Sequence, residues 1–298
     1  MDETKAPMAA MTMVGGDHFF LQRWVDYYGR QLGREHLYVL SHGGDPEHKR
    51  IAAGCNIIYL PHDATRYCFN QRRWQMLSMF TSGFTRYYNW VLTGDVDELV
   101  APDPAVADSL LTYMRRFEPD NRPRVLSPVA LEMVHNPDLE PVPISPDRSI
   151  LAVRRIFRLN ANYNKPCITR NKIVFAPGGH FANQPQKFLA PDLYLFHLRF
   201  IDYRMTEERL SLRRAQREQQ SGALEDTERK VTGWDNAWET YKHLSTLEPV
   251  AETVDFPEVR EKLNAGWRRK DDKSPFFTFG GGRSKEVYKL PERFASVF

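Results

Sequence analysis

Cysteine is scarce in this 298-residue chain. Cys55, Cys68 and Cys167 are too few and too scattered for a disulfide framework or a Cys-rich zinc site, so a reducing compartment is expected. Long hydrophobic runs are missing too. No run of about eighteen apolar residues occurs, which excludes a recognisable transmembrane helix. Met1 to Val14 lack the basic n-region and long h-region of a signal peptide. The expected location is cytoplasmic, with room for peripheral attachment at a membrane. An excess of one charge is lacking as well. Lys and Arg number 41 against 38 Asp and Glu, a formal net charge of +3, and this near balance argues against a dedicated nucleic-acid binder. Internal repeats and low-complexity tracts are absent.

What is present is apolar material, 42% of the residues, enough to bury one large core or a core with a satellite domain. Met8 to Val14 reads as a strand, Gly15-Gly16-Asp17 as a turn, and Phe19 to Leu32 as a helix with aromatics at three- and four-residue spacing and a stop at Gly33. Leu37 to Leu40 and Asn56 to Leu60 read as further strands, the former ending in Ser41-His42-Gly43-Gly44-Asp45. Strands alternating with helices imply a parallel sheet. Asp17 and Asp45 then sit at carboxyl ends of strands, where a nucleotide could settle, although neither glycine turn is a GxGxxG fingerprint or a P-loop. Asn70 to Thr81 reads as a helix whose Arg72 and Arg73 could either reach a pyrophosphate or serve as surface charges.

The chain's most informative stretch is Tyr87 to Val100, an apolar run that stops at Gly94 and continues Asp95-Val96-Asp97-Glu98. Two Asp residues at i, i+2 arise by chance about once in a chain of this length, so the tripeptide is informative only through its place after an apolar strand. Alternation along extended backbone predicts that Asp95 and Asp97 face the same way. Paired carboxylates suit Mg²⁺ or Mn²⁺, which take one or two protein carboxylates and complete their shell with water and phosphates.

Val106 to Phe117 reads as a helix, Arg124 to Val134 as a strand, and Pro137 to Pro146 as a proline-rich loop. Lys172 to Ala176 reads as a strand leading to Gly178-Gly179-His180, and Pro191 to Phe200 as another with His197 inside it. Either imidazole could ligate a metal or be a hydrogen-bonded core residue. From Thr206 the composition turns to Arg, Glu and Gln. A long charged helix to Val231 is predicted, then helices at Asp235 to Leu244 and Pro257 to Lys270.

In this order of landmarks the chain resembles the GT-A glycosyltransferases, the branch around family 2 and family 92, over roughly Met8 to Arg204. Trp90 to Leu99 matches the branch's Trp-x-x-x-x-Asp-x-Asp-Glu-Phe motif with Leu99 in place of Phe, and Lys172, His180 and His197 stand where later landmarks fall. The resemblance implies a Rossmann-like, mainly parallel α/β sheet over residues 1–204, while the composition of 205–298 reads as an α-helical extension for acceptor binding or subunit contact, or for simple packing. The resemblance also implies a metal-dependent transferase that moves a sugar from a nucleotide-diphosphate donor to a hydroxyl of a glycan or lipid, with inversion. Asp95 and Asp97 would hold Mn²⁺ or Mg²⁺, with His197 and His180 as further ligands. Asp17, Asp45, Arg72, Asp95 and Lys172 would contact the nucleotide sugar. An inverting enzyme also needs a carboxylate base, for which Glu98, Glu132, Asp138 and Glu140 are candidates. In place of the family's usual Arg-Asn-Glu the first loop here has Gly15-Gly16-Asp17, which permits a non-catalytic carbohydrate-binding or scaffold protein on the same fold. A haloacid dehalogenase-type phosphatase also places Asp-x-Asp after a strand, but its motif continues to Thr and lies near the N-terminus.

Overall fold

The computed structural model describes residues 2–62, 68–117, 123–186, 188–220, 233–280 and 282–298. In chain order its main elements are β1 (Ala6–Val14), α1 (His18–Leu32), β2 (Leu37–His42), α2 (Pro46–Ile51), β3 (Asn56–Leu60), α3 (Phe69–Phe84), β4 (Tyr88–Thr93), β5 (Glu98–Pro102), α4 (Leu110–Met114) and β6 (Val125–Val134). They continue with β7 (Ile156–Leu159), β8 (Ile168–Thr169), β9 (Leu189–Phe200), α5 (Tyr203–Gln220), α6 (Gly233–Leu244), α7 (Pro257–Ala265), β10 (Arg268–Arg269), β11 (Phe277–Thr278) and β12 (Tyr288–Lys289). Two compact units result. The first is Met1–Leu131 with Asn160–His197 and Asp255–Arg283; the second is Glu132–Leu159 with Leu198–Val254 and Ser284–Phe298. The expected extension, 205–298, therefore contributes to both.

In the first unit β1 is central and parallel to both neighbours, with Ala10 opposite Leu37 of β2 and Leu92 of β4. Strands covered on both faces read as continuous apolar runs, which is how Met8 to Val14 and Trp90 to Leu92 are written. β3 extends the sheet in parallel beyond β2, β8 runs antiparallel to β4, and the first residues of β6 pair with β8. The fold is mixed α/β, a mainly parallel sheet flanked by helices, compatible with a Rossmann-like nucleotide-binding fold. α1 turns Phe20, Leu21, Trp24, Val25, Tyr27, Tyr28 and Leu32 inward. Tyr27 donates to the carbonyl of Val100 at 2.9 Å and Tyr28 accepts from the Val100 N–H at 2.8 Å, so adjacent phenols clasp β5. α3 adds Trp74 and Leu77 to a core with Met11, Met13, Leu40, Ile173 and Phe175.

Three predicted elements differ. The helix expected at Val106 to Phe117 is only α4, because the Ser109 hydroxyl caps the Thr112 N–H and the Asp103 carboxylate holds the Ala105 N–H in a preceding turn. Lys172 to Ala176 forms no strand. Its central amides are taken by side chains instead: Ile173 donates to Ser82 and Phe175 to Ser78, both on α3, and Val174 donates to Asn183, while the Ala176 N–H goes to the Phe181 carbonyl. α7 likewise ends early, at Gly266, where a Cβ would stand 2.6 Å from the Phe279 carbonyl. The rest of the late segment is tied to the start of β9 and the chain before it: Arg260 donates to the Ala190 carbonyl, Trp267 to that of Pro185, and the Phe277 N–H to that of Ala182. The charged helix runs from Tyr203 to Gln220, and the predicted continuation over 221–231 lies outside the described residues. No helix among the described residues is long and apolar enough to cross a membrane.

The second unit packs around Val134, Ile156, Phe200, Leu210, Trp238, Tyr241, Leu244 and Val287, with Phe200 and Tyr241 stacked at 4.5 Å. Here Glu140 accepts the N–H groups of Arg155 and Ile156, yet burial pushes its carboxyl up to about 7 from an ordinary value of 4.5. An acid raised in the folded state keeps a proton that the unfolded chain releases. Its stabilising contribution is full below pH 4.5 and is lost as pH rises to about 7. Relative to Glu140→Gln, the wild type should lose about 2 kcal/mol across that window, after a discount for partial exposure. Urea denaturation of both proteins over the pH series checks this, and parallel pH curves would refute it.

Candidate active site

The carboxyl end of β4 carries the site. Gly94 donates its N–H to the Met11 carbonyl, and the chain then leaves the sheet. Asp95 to Asp97 do not continue the strand: the Glu98 N–H donates to the Asp95 carbonyl at 3.1 Å and the Asp95 N–H to the Glu98 carboxylate at 3.3 Å, closing a turn. Strand alternation therefore does not set the directions of Asp95 and Asp97. The turn folds Glu98 back, so that it joins the group.

Lys165 is at the centre. Its side chain is 1% exposed, and its Nζ lies 2.7 Å from both Asp95 Oδ2 and Glu98 Oε1. Asp95 Oδ1 pairs with Arg73 of α3. Both oxygens of the first motif carboxylate are thus engaged by cations of this chain. Burial alone would raise the Asp95 carboxyl, but Arg73 and Lys165 reverse that and hold it well below the usual carboxylate range. Glu98 moves the other way: burial raises it and Asp95 adds to the rise, against the pull of Lys165. Burial opposes the charge on Lys165, and its two carboxylates more than restore it, so it stays protonated. The ammonium also lies 5.4 Å from the Trp74 ring and 5.6 Å from that of Tyr163.

Asparagines place Lys165. Asn164 accepts the Ala130 N–H at 2.7 Å and Asn160 that of Asn162, which fixes an irregular segment between β7 and β8. Around it stand two imidazoles. His197 of β9 pairs in register with Glu98 of β5 and lies 4.0 Å from the Tyr163 ring. His180 Nδ1 is 2.7 Å from the Asn162 carbonyl. A carbonyl only accepts, so Nδ1 carries the proton and Nε2 presents a lone pair. Burial, with Lys165 nearby, pushes His180 down to about 4, so it is neutral at pH 7. The turn before it needs glycine: Gly179 has φ +69°, and a Cβ there would stand 2.2 Å from the Trp74 indole.

The structure thus brings Asp95, Glu98, His180 and His197 together with Arg73 and Lys165, and Asp97, 9% exposed, lies near enough to raise Glu98. Arg72 and Lys172 are exposed. Asp17 adopts left-handed backbone before α1 without capping it through its side chain, while Asp45 caps α2 and contacts His18. Of the proposed bases, Glu98 belongs to the first unit and Glu132, Asp138 and Glu140 to the second. Glu132 is braced by Arg158 at 2.6 Å, and Asp138 is exposed. Arg73 and Lys165 escaped assignment from the sequence: Arg73 could not be separated from Arg72 without the helix phase, and Lys165 lies in a segment with no periodicity. Three asparagines at alternate positions before Lys165 were the available signal, since such side chains fix irregular backbone.

No family model matches the chain, and no curated protein does. Solved structures give distant likenesses. Mannose-1-phosphate geranyltransferase from Thermus thermophilus shares 9% identity, covering 78% of this chain and 67% of that one, with a TM-score of 0.28. A likeness at that level carries no argument about activity.

Proposed function

We propose that the protein is a glycosyltransferase that moves a sugar from a nucleotide-diphosphate donor to a hydroxyl of a glycan or lipid acceptor, with inversion. The observation that carries this is the turn after β4, which sets three carboxylates at the carboxyl end of a parallel strand beside the buried Lys165 and the half-buried Arg73. Open α/β sheets bind ligands at such ends. Asp95 is committed to Arg73 and Lys165. The Mn²⁺ or Mg²⁺ that the resemblance implies therefore falls to Asp97; among the described residues His180 and His197 do not converge with it into a set of three ligand atoms within 4.8 Å, and a single carboxylate suffices for these ions when substrate phosphates complete the shell. Bound there, the ion would neutralise charge on the departing nucleoside diphosphate.

The chain's own residues do the rest. Arg73 and Lys165 fix the first carboxylate and keep it ionised. Neutral His180 directs Nε2 as an acceptor, held by its Asn162 contact. Proton removal from the acceptor hydroxyl falls to a carboxylate, with Glu98 the candidate inside the group. Asp17 and Asp45 border the same sheet end on β1 and β2, within reach of a nucleotide. The commitment of Asp95 to internal cations also suits the second reading, a non-catalytic carbohydrate-binding protein; hydrolysis of a nucleotide sugar without acceptor would exclude it.

A thermal-shift screen of nucleoside diphosphates with and without Mn²⁺ tests the proposal. One nucleotide should stabilise the protein in a metal-dependent way, by about 2.7 kcal/mol at a hundredfold excess over Kd. Failure of every nucleoside diphosphate to shift the transition would overturn it.

A further inference from the structure

A second cluster lies at the carboxyl ends of β1 and β2. His18 opens α1, Asp45 precedes α2, and His48 lies within α2. Among the described residues these form the one group of His, Cys, Asp and Glu whose ligand atoms all lie within 4.8 Å of one another. His18 Nε2 is 2.6 Å from Asp45 Oδ2, and His48 Nε2 is 3.7 Å from the same oxygen. The Gly16 carbonyl stands 3.0 Å from His48 Nε2. Two imidazole nitrogens, a carboxylate oxygen and a main-chain carbonyl therefore face one another.

The cluster is supported from behind. His48 is 0% exposed, and its Nδ1 lies 2.8 Å from the hydroxyl of Ser41, itself 0% exposed. In this structure Nε2 faces the Gly16 carbonyl, which only accepts, so Nε2 carries the proton and Nδ1 accepts from Ser41; because the hydroxyl can also accept from Nδ1, it equally supports the other tautomer, in which Nε2 is free to ligate. Rings held in this way through their far nitrogen are characteristic of metal-ligating histidines. The other oxygen of Asp45 accepts the Glu47 N–H at 2.9 Å, which fixes the carboxylate. An ion pair between His18 and Asp45 explains their own contact, and Gly16 and Ser41 satisfy the two nitrogens of His48. Neither contact requires the ligand atoms of all three side chains to converge within 4.8 Å.

We propose that His18, Asp45 and His48 form a binding site for a divalent transition metal of the zinc class, separate from the ion assigned to Asp97. Two imidazoles and one carboxylate match Zn²⁺, Co²⁺ or Ni²⁺ rather than Mg²⁺ or Ca²⁺, which prefer all-oxygen shells. Ligands about 2.0–2.2 Å from a tetrahedral Zn²⁺ stand a little over 3 Å apart, a spacing that a small swing of His18 reaches. His18 and Asp45 are 47% and 29% exposed, so the ion keeps an outward position for water or an anionic group.

The test is a Co²⁺ titration of the full chain, free of any affinity tag and stripped with a chelator, read by visible absorption and by displacement with Zn²⁺. Wild type should bind a single Co²⁺ with the intense bands of a low-coordinate site. Asp45→Asn retains an N-cap acceptor and His18→Ala alters a half-exposed side chain; each should weaken binding roughly a hundredfold, and Ser41→Ala roughly tenfold, with unchanged circular dichroism. Asp97→Asn should leave the Co²⁺ spectrum intact even if nucleotide binding is lost, which separates this site from the proposed transferase centre. A wild type that gives no such spectrum, or a spectrum that survives both His18→Ala and Asp45→Asn, overturns the proposal.

Discussion

Replacement of Lys165 by Met should lower the unfolding free energy by about 3–5 kcal/mol, the loss expected when one partner of a buried ion pair is removed. Met has nearly the volume of the lysine stem, so packing against Trp74 and Tyr163 is retained and the loss reports charge. The cost is unequally shared. Arg73 still holds Asp95, whereas Glu98, 2% exposed, loses the cation that offsets its burial. The double variant Lys165→Met with Glu98→Gln should therefore recover a large part of the deficit. Chemical denaturation of wild type, both single variants and the double variant closes the cycle. A double variant no more stable than Lys165→Met would show that the ammonium does not stabilise through Glu98.

The second large effect is on the reaction. Asp97→Ala should abolish the Mn²⁺-dependent part of nucleoside diphosphate binding and lower transfer by about 10²–10³, the scale of a lost electrostatic contact to developing charge. Asp97 is itself buried, 9% exposed, so the stability of the variant is measured alongside its binding. Calorimetry with and without Mn²⁺ separates the two contributions. Unchanged metal-dependent binding in Asp97→Ala would remove Asp97 from the metal role.

β1 and β4 were legible because each is covered on both faces and so carries an apolar run, Met8 to Val14 and Trp90 to Leu92; Asn56 to Leu60 also falls within a strand, but at the end of the sheet with Asn56 and Tyr59 exposed. α1 was legible from its aromatic spacing and its stop at Gly33. The site was legible only in part. Asp95, Asp97 and the carboxyl end of β4 stand out in a linear reading, whereas the turn that gathers Asp95 and Glu98 depends on one backbone hydrogen bond that no pattern announces. Lys165 was hidden for a related reason. A lysine in an irregular segment reads as surface charge, and only the partners brought from β4 and β5 reveal it as the most enclosed cation of the group. The Lys172 to Ala176 segment misled in the opposite direction, since its alternation fits a strand while its central amides are taken by Ser78, Ser82 and Asn183.

The division of the first unit along the chain bears on how the molecule is made. Its last piece, Asp255–Arg283, bonds to Ala182, Pro185 and Ala190, up to the start of β9, through Phe277, Trp267 and Arg260. A ribosome delivers that piece after all of β1 to β9, so the unit that carries both candidate sites cannot close during synthesis of its own first half. Domains whose parts emerge together can fold as they are made. Here Asp95, Lys165 and Glu98 emerge long before the segment that completes their unit, and the nascent chain must hold buried charges in an unfinished shell until Arg283 has left the exit tunnel.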